Sequence, residues 1–166
     1  MAKFELAITH TLKFEGGYND KKNDRGGATN WGISLKTYIS KIDKNATKED
    51  IKKLTKDEAI KIYKRFYWDF NNLDKVNSQK IANKLFDVGV NCGEGTAIIY
   101  CQRVLKIDVD GVCGVKTINA INSCNETLFL TEYVELQKLH YLEIVKERPD
   151  QQEFLKGWLK RAEYLG

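Results

Sequence analysis

Proline occurs once and histidine twice in the 166 residues. There is no low-complexity tract, long linker or exact internal repeat. The length therefore fits one domain, long enough to bury about 70% of its unfolded surface. No window of the chain approaches the apolar length of a membrane span, so no stable membrane insertion is expected. The four cysteines, Cys92, Cys101, Cys113 and Cys124, stand at irregular gaps without a Cys-x-x-Cys pair, which argues against zinc. A cysteine nucleophile needs a histidine close in space, and only His10 and His140 are present. Free thiols packed in the core are expected instead. Asp108-Val109-Asp110-Gly111 opens like a calcium loop, but the sixth and twelfth places, where that loop needs Gly and Glu, hold Cys113 and Asn119. That stretch reads as a turn, and no metal site is expected.

What is there is ordinary in bulk and specific in detail. Hydrophobic residues make up 42% and charged residues 30%, usual for a soluble globular chain. The net charge of +4 suits an anionic polymer, but basic and acidic residues alternate. A nucleic-acid binder shows a denser basic face, so no nucleic acid is expected as a partner. At the N-terminus, Glu5, Thr9 and His10 break the apolar residues, and no secretory core forms. The expectation is a monomer made in the cytoplasm without a signal peptide.

The chain is organised around Glu15. Phe4, Ile8 and Leu12 recur at every fourth position, one face of a helix. At about 100° per residue, Glu15 returns to within roughly 20° of Phe4. A carboxyl therefore sits on the apolar stripe at a helix end. Apolar surroundings and the negative helix terminus both favour its protonated form, as a general acid requires. Gly16-Gly17 then stops the helix. Asp20 and Asp24 follow within a short loop, and Gly26-Gly27 leads into Ala28-Thr29-Asn30-Trp31-Gly32-Ile33, which reads as a tight turn and short ribbon. Asp20 reads equally well as a turn former.

The rest reads as helices. One begins at Ser34–Tyr38. Asn45–Asp50 is a polar loop leading into Ile51-Lys52-Lys53-Leu54. Thr55-Lys56-Asp57-Glu58 is a capping box that opens a helix with Ala59, Ile62, Tyr63, Phe66 and Phe70 on it. Tyr63, Phe66, Tyr67, Trp68 and Phe70 are open to two readings, a sugar-stacking groove or core. Ser78 caps a helix with Ile81, Ala82, Leu85, Phe86 and Val90 on one face. Asp87 and Asn91, one turn apart beside that stripe, serve either as sugar contacts or as an internal tie between helices. Glu94, between Gly93 and Gly95, reads as an exposed loop residue. Helices follow over 96–107 and 115–122, then a long, broadly apolar one over 127–146 expected at the centre of the fold. After Arg148-Pro149-Asp150 a last helix carries Phe154, Leu155, Trp158 and Leu159.

Several motifs in order resemble glycoside hydrolase family 108, N-acetylmuramidases often found as phage or prophage endolysins. They are Glu15-Gly16-Gly17-Tyr18, the run Asn23-Asp24-Arg25-Gly26-Gly27-Ala28-Thr29-Asn30-Trp31-Gly32-Ile33, Tyr63-Lys64-Arg65-Phe66-Tyr67-Trp68, and Phe86-Asp87-Val88-Gly89-Val90-Asn91-Cys92-Gly93. Asp110-Gly111-Val112-Cys113-Gly114 and Gly157-Trp158-Leu159-Lys160-Arg161 resemble the peptidoglycan-associated segment that usually follows. The resemblance implies that Glu15 is the catalytic acid. Phage-type lysozymes space their triad as Glu, eight residues, Asp, five residues, Thr. Here eight residues separate Glu15 from Asp24, while Thr29 comes one early and Asn30 holds the expected place.

The resemblance implies a mainly helical, lysozyme-like fold with a short β-ribbon beside Glu15. Residues 1–92 would form the catalytic part and 93–166 a helical part packed on it. The implied activity is cleavage of the β-1,4 bond between N-acetylmuramic acid and N-acetylglucosamine in bacterial peptidoglycan, without metal or cofactor. Glu15 gives the proton and Asp24 is the second carboxylate, with Asp20 its alternate. A hydroxyl or amide, Thr29 or Asn30, places the water. Tyr18, Asn30, Trp31, Asp87 and Asn91 are candidate substrate contacts. Such a protein reaches the wall after release or by another export system. Two other readings stay open: a lytic transglycosylase using Glu15 alone, and a non-catalytic wall-binding or secretion-accessory protein.

Overall fold

The computed structural model describes residues 1–14, 17–20 and 27–164, the side chains of His10, Lys13 and Phe14 excepted. Helix α1 (Phe4–Phe14) buries Phe4, Ala7, Ile8 and Thr11, the face that the four-residue spacing predicts. Its start is clamped to that of α5 (Gln79–Cys92). The Lys3 amide donates to Gln79 Oε1 at 2.7 Å, and Gln79 Nε2 returns a bond to the Lys3 carbonyl at 3.0 Å.

Helix α5 is the centre of the molecule. It begins at Ser78, whose hydroxyl accepts from the Ile81 amide at 3.1 Å, satisfying an otherwise orphaned helix-start donor. From Ile81 to Gly89 every residue is buried, so α5 is covered on all sides. Phe86 is the hub of its packing. Phe4, Trp68 and Tyr63 each meet it edge to face, with centroids 5.8, 5.9 and 6.2 Å away, and Phe4 meets Trp68 at 5.7 Å. Such pairs add to the burial energy of the rings and fix their directions. They bind α1, α5 and the 64–69 segment into one core.

The segment between α1 and α5 departs from its sequence reading in two places. Residues 45–50 are not all loop, because α3 (Lys48–Lys53) starts there. Thr47 donates to Asp50 Oδ2 from both its amide, at 2.8 Å, and its hydroxyl, at 2.7 Å. The helix is six residues long, too short to show an apolar period. The Thr55 capping box is present and opens α4 (Lys56–Tyr63). That helix then widens into a π-helical turn over Lys64–Asp69. The i→i+5 turn shifts the phase of everything after it. Tyr63, Tyr67 and Trp68 are in the core, whereas Phe70 is 63% exposed.

Gly93, at φ 97°, joins α5 to α6 (Glu94–Leu105) with no intervening loop. Glu94 is therefore not the exposed loop residue its flanking glycines suggest. It opens α6 and is held at 2.6 Å by Lys41, the last residue of α2 (Leu35–Lys41). The Asp108–Gly111 turn is folded around the buried Gln102. Its Nε2 donates to Asp110 Oδ1 at 2.6 Å, and its Oε1 accepts from the Asp110 and Gly111 amides at 3.0 and 2.9 Å. Helix α7 (Val115–Ser123) follows.

Helix α8 (Glu126–Glu147) is the longest of the described helices, yet it is not the buried central one. Phe129, Leu130, Tyr133, Val134, Gln137, Tyr141 and Val145 form one buried stripe, while Leu139 and Leu142 are 54% and 47% exposed. Its apolar residues run round the helix, and only one side meets α5, α6 and α9 (Gln152–Ala162).

Candidate active site

Helix α1 delivers the chain at Phe14. Glu15 and Asp24 lie outside the described residues, so the site is built here from what surrounds them. Four residues past Glu15 in sequence, Asn19 pairs with Thr29, each amide donating to the other's carbonyl at 2.8 Å. Thr29 belongs to β1 (Thr29–Asn30), which pairs antiparallel with β2 (Ile33–Ser34) in the register Thr29↔Ser34 and Asn30↔Ile33. Asn19, the residue after Tyr18, thus adds a third edge to the ribbon.

The ribbon's turn is Trp31-Gly32, with φ of 51° and 77°. Both values are left-handed, as a two-residue hairpin of type I′ needs. Glycine adopts that conformation freely, but tryptophan does so at a cost and persists where surrounding contacts hold it. Here the Tyr63 hydroxyl donates to the Trp31 carbonyl at 3.0 Å. The indole is half-buried against the core, with Lys56 Nζ 6.0 Å from its centroid. Tyr18 is exposed. The Thr29 hydroxyl lies 3.5 Å from the Asn19 carbonyl, a loose contact that leaves it able to turn toward a water.

Asn30 sits behind the ribbon. It is buried, and its Nδ2 points at the carbonyls of Ile51, Lys52 and Leu54 at 3.0, 3.3 and 3.2 Å. These carbonyls close α3 and its cap, where helix carbonyls run short of intrahelical partners; that of Ile51 also accepts from the Leu54 amide at 3.2 Å. The donor that a sugar contact would use is spent on holding the ribbon against α3. Replacing Asn30 by Ala should lower stability by about 1–3 kcal/mol, because buried acceptors lose their donor. Thermal denaturation checks this, and an unchanged melting temperature would contradict it.

Asp20 is paired with Lys48 at 3.0 and 3.1 Å on a partly exposed surface. The pair adds little stability there, but it places an ammonium on the carboxylate. Asp87 resolves into the internal tie of its two readings. It is buried, and Arg161 of α9 grips Oδ1 from Nη2 at 2.9 Å and from Nε at 3.1 Å. This two-pronged contact is the strong form of a guanidinium–carboxylate bond. Lys84, one turn earlier on α5, is fully buried and donates to the Ala162 and Tyr164 carbonyls at 2.5 and 3.1 Å. Burial pushes its ammonium down to about 8, with Asp87 acting in the opposite sense. Asn91, by contrast, lies at the exposed end of α5, its Nδ2 donating to the Asp87 carbonyl at 2.7 Å.

Of the five aromatics from Tyr63 to Phe70, Tyr63, Tyr67 and Trp68 belong to the core, and Phe66 and Phe70 reach the surface. All four cysteines are free. Burial pushes the Cys92 thiol up to about 11 and that of Cys113 up to about 12, so neither supplies a thiolate at neutral pH. Among the described residues, no group of three His, Cys, Asp or Glu side chains is placed to hold a metal ion. No described helix is long and apolar enough to cross a membrane. Sequence reasoning missed Lys48, Lys41 and Arg161 as partners of Asp20, Glu94 and Asp87. Arg161 lies 74 residues from Asp87, and no local pattern signals a pairing at that range.

Residues 8–93 match the family model described as Glycosyl hydrolase 108. This chain belongs to glycosyl hydrolase family 108. Residues 96–163 of the hydrolase match a second model, described as Predicted Peptidoglycan domain. Among solved structures it is similar to that of Brucella abortus SagA, at 31% identity and a TM-score of 0.85, over 96% of this chain and 88% of the other. A comparison with curated proteins gave no match. The family makes the chain a glycoside hydrolase with a mainly helical, lysozyme-like fold. Its two matched regions together make it a peptidoglycan hydrolase.

Proposed function

We propose that the hydrolase is an endo-acting N-acetylmuramidase cleaving the β-1,4 bond from N-acetylmuramic acid to N-acetylglucosamine. Glu15 protonates the glycosidic oxygen. Asp24 activates water or stabilises the oxocarbenium-like sugar, and the Thr29 hydroxyl positions the water. The observation that carries this reading is the two-way Asn19–Thr29 backbone bridge. It brings Tyr18 and Asp20, the neighbours of Asn19, beside the strand of Thr29 that leads to Trp31. Tyr18, Trp31 and Asn91 are the proposed sugar contacts. Asn30 and Asp87, buried and internally paired, support the site from behind.

The chemistry needs no metal or cofactor, since two carboxyls supply both proton transfer and charge stabilisation. The catalytic part runs through residue 92, and the remainder docks the enzyme on the wall as part of one monomer. The resemblance to phage and prophage endolysins suits a protein made in the cytoplasm that reaches the wall on release or through another export system.

The Lys48 ion pair on Asp20 ranks Asp24 first for the second carboxylate. Asp24→Asn should lose most activity with the fold intact, while Asp20→Asn is mild. Initial rates on purified peptidoglycan, with melting temperatures alongside, decide the ranking. The reverse order transfers the role to Asp20. Small, equal effects would instead point to a transglycosylase, which needs one carboxyl only.

A further inference from the structure

Three rings form a row where α8 and α9 meet. Tyr141, buried on α8, faces Trp158 of α9 at 5.4 Å between centroids and 33° between planes. Trp158, half-buried, faces Phe154 at 6.0 Å and 24°. Phe154 is 47% exposed. The row therefore climbs from the core to the surface, its inner pair tilted and its outer pair stacked. Core packing accounts for Tyr141 and the inner side of Trp158. It does not account for a phenyl ring held parallel to a tryptophan and open to solvent, where an apolar side chain gains little from burial.

The row is continuous with the exposed end of α5. Cys92 Sγ lies 3.9 Å from the Tyr141 hydroxyl. Asn91 contacts Asp87, and Asp87 is gripped by Arg161, one helical turn beyond Trp158. The whole row falls within the region matched by the predicted peptidoglycan domain, residues 96–163. Pyranose rings present flat faces of C–H groups, and Phe154, with one face against Trp158, keeps its outer face open to them.

Resting on the proposed peptidoglycan reading, we infer that Phe154, backed by Trp158, forms a sugar-stacking platform for the β-1,4-linked amino-sugar strand, outside the cleavage site. The platform holds the glycan backbone rather than the stem peptide, because its exposed surface is aromatic and flat.

The test uses the full chain carrying Glu15→Gln, so that retention is read without cleavage. Binding isotherms are taken by co-sedimentation with purified insoluble peptidoglycan, and with glycan strands stripped of their stem peptides. Adding Phe154→Ala should weaken retention on both by roughly tenfold, and Phe154→Tyr should restore it. The melting temperature should barely move, since Phe154 is largely at the surface. Unchanged retention of the Ala variant overturns the platform. So does loss of binding by the parent when the stem peptides are removed. A parent protein that fails to sediment with peptidoglycan at all also overturns it. Release of new reducing ends by the wild type is measured separately and fails only if the hydrolase mechanism itself is wrong.

Discussion

Glu15→Gln is expected to slow peptidoglycan cleavage at least ~100-fold, the scale of a lost general acid, in a protein that remains folded. The substitution keeps the shape of the side chain and removes the transferable proton. Its place in the sequence argues for the role. In sequence Glu15 stands at the helical spacing of Phe4, Ile8 and Leu12, immediately before Gly16-Gly17, and Asn19, four residues on, bridges Thr29 of the ribbon. A general acid works only while protonated, so wild-type activity should fall as pH rises and Glu15 ionises. Thermal stability of the variant should hold or rise, because side chains kept for function commonly burden the fold. Clearing of a peptidoglycan suspension, followed by turbidity across a pH series, reads both effects. A Gln variant that clears as fast as the wild type would sink the proposed mechanism.

Asp87→Ala is expected to have the largest effect on stability, about 3–5 kcal/mol, the cost of breaking a buried ion pair by removing one partner. Asp87 is faced by two cationic side chains. Arg161 holds it at 2.9 Å, and the fully buried Lys84 interacts with it from the preceding turn of α5. Removing the carboxylate strands both cations away from bulk water. The same contacts join α5 to the end of α9, so the C-terminal helix should loosen first. Domains of this size are stable by about 5–15 kcal/mol in all, so the variant should melt well below the wild type. Chemical denaturation midpoints measure the loss. A substrate contact would behave in the opposite way, with an ordinary midpoint and a raised KM. That pattern would return Asp87 to the glycan groove.

Much of this fold is legible in the sequence because its signals are local. The four-residue spacing in α1 and the Ser78 and Thr55 caps each act within one or two turns. The π-helical turn at 64–69 is not legible in this way, since a single extra residue per turn leaves the apolar composition unchanged while moving Phe70 to the surface. Helix α8 shows the other limit. Its leucines at 139 and 142 read as core, but which side of a broadly apolar helix is covered depends on neighbours that periodicity does not identify. At the site, the residue types and order were readable from Glu15 to Ile33. The use each polar group is put to was not. Asn30 reads as a sugar contact and Asp87 equally as a sugar contact or an internal tie, and neither reading names the partners, the α3 carbonyls in one case and Arg161 in the other. Polar contacts made across long stretches of chain leave no periodic trace.

The most direct measurement is mass analysis of the fragments that the wild-type protein releases from purified peptidoglycan. Hydrolysis of the muramyl bond predicts fragments ending in a reducing N-acetylmuramic acid, each carrying the mass of one added water. Fragments ending in a 1,6-anhydro sugar, or in a reducing N-acetylglucosamine, or no glycan cleavage at all, would contradict the account.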